Sequence, residues 1–348
     1  MPVTLVLSSA DQAFVMTRVS PLAELCACLH ALDEPGHHPA AARWIARLHA
    51  ETDSDLLARA TAWAPLWGAF RARYLLPLSP SPGRSRSLAD ELAEIEALPI
   101  GEFTAMTLQA LIGKNGAVLG PNVLQRLRLI SSSRVELGAR VYDDAHGFRR
   151  ELLGFLTGFA AAAFDADWPG LRTALLAEAA VRERALSVRG AMTFADFPAA
   201  TVSGDRIVLD KLYSSTEHIT ADRPCLLLPS LYGRPHFVVK HYPGYPIVIQ
   251  YGVGSTAGPS LEVVRQRLAV LQHPTRLMLC RAILRNPVAT AELATQLGMT
   301  APQVSRHLRH LREAELVHVH RDGAAVYYQL DAEAVGRVGA DLLTVLYR

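Results

Sequence analysis

Residues 300–303, Thr-Ala-Pro-Gln, and the dozen that follow them constrain this chain more than any other segment. A threonine able to cap, a proline in the first turn and a glutamine three residues past the cap make a helix start of the capping-box kind. The helix so begun is predicted to run to about Leu316. Its apolar residues Val304, Leu308 and Leu311 are spaced by four and three, so they form one stripe facing a core. At about 100° per residue, Pro302, Arg306, Arg309 and Glu313 point the other way, flanked by Gln303, Ser305, His310 and Arg312.

The surroundings of this helix fix its setting. Residues 290–298 read as a shorter helix, with Thr290 placed to cap it, Glu292 facing the positive end of its dipole and Gly298 stopping it. Residues 261–271 and 275–285 are helical, and Asn286-Pro287 ends the second. Downstream, residues 316–320 alternate as a strand, Arg321-Asp322-Gly323 turns, and 324–330 return as its partner. A last helix, 332–346, is apolar on one side through Val335, Val338, Leu342 and Val345. This order of elements is a winged helix-turn-helix.

Such an arrangement predicts a partner, double-stranded DNA. A helix about 10–12 Å wide fits the major groove, and the second helix of the motif offers its N-terminal turns to base edges. Arginine can pair with guanine, glutamine with adenine, and serine or threonine with bases or phosphates. The candidate DNA-binding residues are Thr300, Gln303, Ser305, Arg306, His307, Arg309, His310 and, at the wing tip, Arg321. His307 borders the apolar stripe, so packing, phosphate contact and base reading all stay open for it. His318 and His320 share one face of the wing strand; exposed polar positions are the default there, phosphate or metal contact the alternative.

Several ordered pieces carry a family resemblance. His273-Pro274-Thr275-Arg276-Leu277, Glu292-Leu293-Ala294 with Leu297-Gly298, Val304-Ser305-Arg306-His307-Leu308 with Leu311, Glu313-Ala314 with Leu316-Val317, and Gly323 with Tyr327-Tyr328 resemble the ArsR-type winged helix-turn-helix over about 261–348. The long region ahead of it resembles an uncharacterised domain fused to such modules in some actinobacterial regulators. The resemblance implies a homodimer, with the first and last helices of the module packing on their mates and two recognition helices meeting a palindromic operator. Its usual mode is repression. Relatives that sense metals carry cysteines in or beside the first helix of the motif, or Asp, His and Glu ligands on the last helix. Residues 290–298 hold no cysteine and 332–346 no histidine, so no metal site is expected in the module.

Ahead of this module, residues 252–260 (GVGSTAGPS) read as a linker, which divides a domain over 1–251 from the module over 261–348. Residues 3–7 and 14–19 are β-rich around a turn-like cluster and read as a hairpin. Helical periodicity follows over 21–32, 39–50, 53–62, 87–98, 102–112, 121–130, 147–164 and 168–188, interrupted by a Pro/Ser/Arg loop at 77–87. Short strands are predicted at 206–210, 225–229, 236–240 and 246–251. The fold class is therefore an α+β N-terminal domain, mainly helical with β segments at both ends, followed by the winged helix-turn-helix. The two sets of β segments are expected to meet in one sheet. Trp44, Trp63, Trp67, Phe70 and Tyr74 read as core, with a pocket for a small-molecule effector the alternative.

Composition mainly excludes. Apolar residues make up 50 % and charged residues 20 % of 348, which fits a well-cored globular chain. With 35 Lys and Arg against 33 Asp and Glu, net charge names no partner, and a nucleic-acid surface must be a local patch. Four cysteines are no disulfide framework and suit a reducing compartment. The longest uncharged apolar-rich stretch, 152–164, is 13 residues, against about 20 for a membrane span. With no signal-peptide pattern, a cytoplasmic protein with no membrane partner is expected. Cys26, Cys28, His30, His37 and His38 form a loose cluster, but two cysteines two apart on a helix point about 200° from each other, and no metal is expected there. Lys114-Asn115-Gly116 shares a fragment with a phosphate loop, but the glycine spacing is wrong. Fingerprints of dinucleotide, zinc-protease and serine-hydrolase sites are missing, so no cofactor and no enzyme activity are expected. An enzyme regulated by its winged module, and a protein-interaction scaffold, stay as alternatives. A pocket of converging ionisable groups would favour the enzyme, and basic potential over the recognition helix would disfavour the scaffold.

Overall fold

The computed structural model describes residues 2–38, 41–68, 70–80, 86–113, 122–197, 200–211, 213–254, 261–322 and 325–346. The 114–116 fragment, the 255–260 part of the expected linker and Gly323 of the wing turn lie outside them. The chain divides into two compact units, one before the 255–260 stretch and one after it.

The first unit is mixed helix and strand. Its described helices are α1 (Pro21–Asp33), α2 (Ala42–Glu51), α3 (Ser54–Trp63), α4 (Leu88–Ala97), α5 (Ile100–Ile112), α6 (Val123–Arg128), α7 (Ser132–Asp143), α8 (Ala145–Ala163) and α9 (Trp168–Arg189). They share one core, in which Trp67 stacks on Phe155 and Tyr74 on Phe103 at ring separations of 5.8 and 4.7 Å. Trp44 and Trp63 are buried in the same core, as the core reading of these aromatics expects.

The hairpin expected from 3–7 and 14–19 does not form. β1 (Pro2–Val6) and β2 (Val15–Thr17) enter different sheets. β1 pairs antiparallel with β4 (Arg206–Asp210) and parallel with β5 (Ser215–His218), and β3 (Ala200–Ser203) completes a sheet of order β3-β4-β1-β5. β2 pairs parallel with β6 (Cys225–Ser230), Val15 opposite Cys225, in a sheet of order β2-β6-β8-β7 with β8 (Ile247–Gly252) and β7 (Phe237–Lys240). The two ends of the domain do meet, but in two sheets rather than one. The physical reason is burial. Val3, Leu5, Ile207 and Leu209 of one sheet pack against Cys225, Leu227, Ile247 and Ile249 of the other. The alternate residues Leu226, Leu228 and Val248 pack on Ala23 of α1 and on Leu76. β6 and β8 are thus covered on both faces, which is why they read as unbroken apolar runs.

The second unit holds α10 (Leu261–Leu271), α11 (Pro274–Ala282), α12 (Thr290–Leu297), α13 (Ala301–Glu313) and α14 (Ala332–Leu346), with a three-stranded sheet of order β10-β11-β9 formed by β10 (Val317–Asp322), β11 (Ala325–Leu330) and β9 (Val288–Ala289). Thr290 does not cap α12. Pairing of Val288 and Ala289 with β11 keeps the chain extended to Ala289, which becomes the cap position, and Thr290 is the first helical residue. Gly298 stops α12 as expected, in the left-handed conformation at φ 62°. α13 ends differently, on a left-handed Glu315 at φ 56°, where the Leu316 N–H donates to the Leu311 carbonyl at 3.0 Å. Burial of both leucines seals that terminus and aims the chain into β10. Among the described residues no helix is long and apolar enough to cross a membrane.

Candidate nucleic-acid interface

Val304, Leu308 and Leu311, all fully buried, seat α13 on the core of the second unit beside Leu279, Ile283 and Leu293. Fixing that stripe turns the opposite face outward. Thr300, Gln303, Ser305, Arg306 and Arg309 are exposed, and so is Arg321 on β10. The cap is built as the residues suggest: the Gln303 Oε1 accepts from both the Thr300 N–H and its hydroxyl, each at 2.9 Å. The carbonyl end of Gln303 is therefore engaged in the helix start.

An open cleft of about 330 Å³ lies along this face, lined by Pro302, Ser305, Arg306, Arg309, Arg312 and Tyr328. It joins α13 to the wing through Tyr328, which pairs across the strands with Val319. Arg306 and Arg312 make no ion pair among the described residues, while Arg309 lies 4.0 Å and His310 3.7 Å from Glu313. Glu315 is turned from the cleft toward Arg267, at 3.2 Å. Three guanidinium groups in one cleft make a local basic patch in a chain of near-neutral charge.

His307 is placed apart from the others. It is half-buried against His273, ring centroids 4.9 Å apart, and its Nδ1 is buried without a hydrogen-bond partner. Burial, then the charges of His273 and Arg276, hold its imidazole below the usual value of 6.5. A neutral, inward ring suits packing of α13 on the start of α11. His318 sits 3.5 Å from Asp331. Arg312 and Tyr328 line the cleft without having been singled out as contacts. Arg312 lies on the flank of the outer face, and its alignment with a tyrosine of the returning strand depends on how the wing folds back.

A buried-core helix with a capped, cationic outer face beside a two-stranded wing defines a winged helix-turn-helix, here of the ArsR type. A helix-turn-helix domain model matches residues 271–320. The chain as a whole belongs to the family of unknown function DUF5937, whose model matches residues 1–257. Over its C-terminal part the chain is similar to the HTH-type transcriptional regulator KmtR of Mycobacterium tuberculosis, 38 % identical over 72 residues, covering 21 % of this chain and 55 % of that protein. It is 29 % identical over 77 residues to the nodulation protein NolR of Rhizobium meliloti, covering 22 % and 63 %. It is 35 % identical over 78 residues to the biofilm growth-associated repressor of Xylella fastidiosa, covering 22 % and 68 %. The chain thus spans less than two thirds of the length of the first two.

The first unit has a smaller cleft, about 190 Å³, lined by Arg140, Asp143, Asp144, Phe148 and Glu151. Three of its four ionisable groups are engaged in structure. Arg140 pairs with Glu151, and the Asp144 Oδ1 accepts from the Gly147 N–H at 2.8 Å to cap α8. Of the loose Cys and His cluster near residue 30, the structure keeps Cys26 and Cys28 in the aliphatic core and brings His30 and His38 to His236, more than 190 residues away.

Proposed function

We propose that this chain is a DNA-binding transcriptional regulator that engages a palindromic operator as a homodimer through α13 and the wing. The observation that carries this reading is the open cleft in which Arg306, Arg309 and Arg312 converge beside the exposed N-terminal turns of α13. Similarity to proteins named as transcriptional regulators and a repressor supports it, and repression by occupying the operator is the default mode. The dimer is supported by α10 and α14, which pack on each other and leave Leu261, Leu268, Leu343 and Leu346 exposed on their outer faces. Exposed leucines on two neighbouring helices are the kind of surface that favours association. The N-terminal unit then supplies the regulatory input, and any effector acts by binding the DNA-competent and DNA-incompetent dimers unequally.

The test is recovery of bound DNA with the full chain, followed by binding to the recovered sequence. One palindromic sequence is expected to be enriched, and Arg306→Ala is expected to cost about 1–3 kcal/mol of affinity for it. Failure to enrich any duplex over random competitor, or equal binding by the variant, overturns the reading of this face.

A further inference from the structure

We infer that His30, His38 and His236 form a binding site for a first-row divalent cation of the zinc class, held by three imidazoles with one coordination position left open. The site lies wholly within the N-terminal unit and does not rest on the DNA-binding reading. His30 stands in the last turn of α1, His38 follows the short 3-10 turn after that helix, and His236 precedes β7. Their relative exposures are only 3 %, 2 % and 9 %. The ring centroids form a near-regular triangle with sides of 4.7, 5.1 and 5.1 Å. One ring nitrogen from each residue lies within 4.8 Å of the other two, and the His30 and His236 Nε2 atoms are 2.9 Å apart.

These distances suit a metal at the centre of the triangle. Zinc held tetrahedrally by imidazoles at about 2.0–2.1 Å sets its ligand nitrogens about 3.3 Å apart. The closest pair therefore opens by a few tenths of an ångström and the third ring closes inward, which side-chain rotation can supply. Three neutral imidazoles without a carboxylate or thiolate in the set favour zinc, cobalt, nickel or copper ions over magnesium or calcium. Three protein ligands also leave a fourth position for water or a small anion.

The fold holds the triangle in place before any ion arrives. The Glu24 Oε1, on the same helix as His30, accepts from the N–H groups of Leu231 and Tyr232 at 2.9 and 3.1 Å. The Ser230 Oγ accepts from the Gly233 N–H at 2.8 Å. These bonds pin the turn between β6 and β7 onto α1, so His236 reaches His30 by backbone anchoring and not only by the contact between their rings. Ligands supported by such a fixed shell are preorganised for a metal.

The experiment uses the full chain and zinc alone. After equilibration with Zn(II) and gel filtration, the unaltered protein should retain one zinc per chain, and His236→Gln and His38→Gln should each lose it while keeping the circular dichroism of the unaltered chain. No retained zinc, or equal zinc in the variants, overturns the proposal. Should either variant fail to fold, Co(II) titration of the unaltered chain decides. Strong visible absorption of a four-coordinate site, saturating at one equivalent and displaced by zinc, supports the assignment. Only the weak absorption of a six-coordinate hydrated ion, at every ratio, overturns it.

Discussion

The Arg267 Nη1 donates to the Asp341 Oδ2 at 3.0 Å and so ties α10, the first helix of the winged module, to α14, its last. The same guanidinium donates to the Ala314 carbonyl and to Glu315, both at 3.2 Å, which extends the tie to the end of α13. Arg267 is only 13 % exposed and Asp341 20 %, so the bond between them forms partly out of water, while Glu315 stays in solvent. Truncation leaves the partly buried Asp341 carboxylate unpaired, a loss of about 1–3 kcal/mol. All four tryptophans lie between residues 44 and 168, in the other unit. Arg267→Ala should therefore lower the denaturation midpoint seen by circular dichroism and leave the tryptophan-fluorescence midpoint unchanged. A shift in both would show that the two units unfold together.

Gln303 has two roles that one pair of variants can separate. Its Oε1 closes the cap of α13 on Thr300, and the residue is exposed. Gln303→Ala removes both, and should cost helix stability as well as about 1–3 kcal/mol of operator affinity. Gln303→Glu keeps an acceptor for the Thr300 N–H and places a negative charge at the favourable end of the helix dipole. It should unfold no earlier than the unaltered chain and still bind DNA at least as weakly as the alanine variant. Unimpaired binding by Gln303→Glu would place this side chain away from the duplex.

Arg321 is exposed on β10 opposite Val326, one pair from the end of the wing. In the proposed reading, a cation there contacts phosphate rather than a base edge. Arg321→Ala should weaken binding to every duplex by a similar factor and flatten the dependence of log affinity on log salt by about one unit of slope. A loss confined to one sequence would assign the residue to base or groove reading instead.

The apolar faces of α10 and α14 set the oligomeric state in the proposed reading. Leu343 is 43 % exposed and Leu346 62 % exposed, three residues apart on one face. Leu343→Glu should leave the monomer folded, since the site is at the surface, yet halve the mass found by light scattering and weaken binding to a palindrome far more than to a half-site. A variant that stays dimeric moves the interface elsewhere.

What could be read from the sequence was local. The start of α13 is a four-residue pattern, its core stripe a spacing of four and three, and the stop of α12 a single glycine, so each was visible without knowing its neighbours. Partner choice over long separations was not. The segments 3–7 and 14–19 satisfy hairpin chemistry, but β1 buries Val3 and Leu5 against the second sheet only by pairing with β4 and β5. α7 was missed altogether. Its buried residues are only Leu137, Gly138 and Val141, and a glycine in a helix weakens the periodic signal. That glycine serves packing, because a Cβ on Gly138 would stand 2.5 Å from the Leu127 Cδ1 of α6. His236 carries no sequence signal linking it to His30, since the link is made by the Glu24-bound turn between β6 and β7.

Glu91 gives the N-terminal unit a pH dependence with a definite sign. Its Oε2 accepts from the Ser20 hydroxyl and the Leu22 N–H, both at 2.9 Å, so a side chain of α4 caps the start of α1. Burial outweighs these bonds and pushes the carboxyl from 4.5 up to about 7. Between those values the folded unit holds a proton that the unfolded chain releases. The stability associated with that proton is complete below about pH 4.5 and is lost as pH rises through about 7. Glu91→Gln keeps an acceptor and cannot ionise. Followed by tryptophan fluorescence in urea, the variant should match the unaltered chain at pH 4.5 and exceed it by about 1–3 kcal/mol at pH 8. A constant difference between the two proteins across this range would show that Glu91 is ionised throughout and that its charge is stabilised by the Ser20 and Leu22 donors at the start of α1.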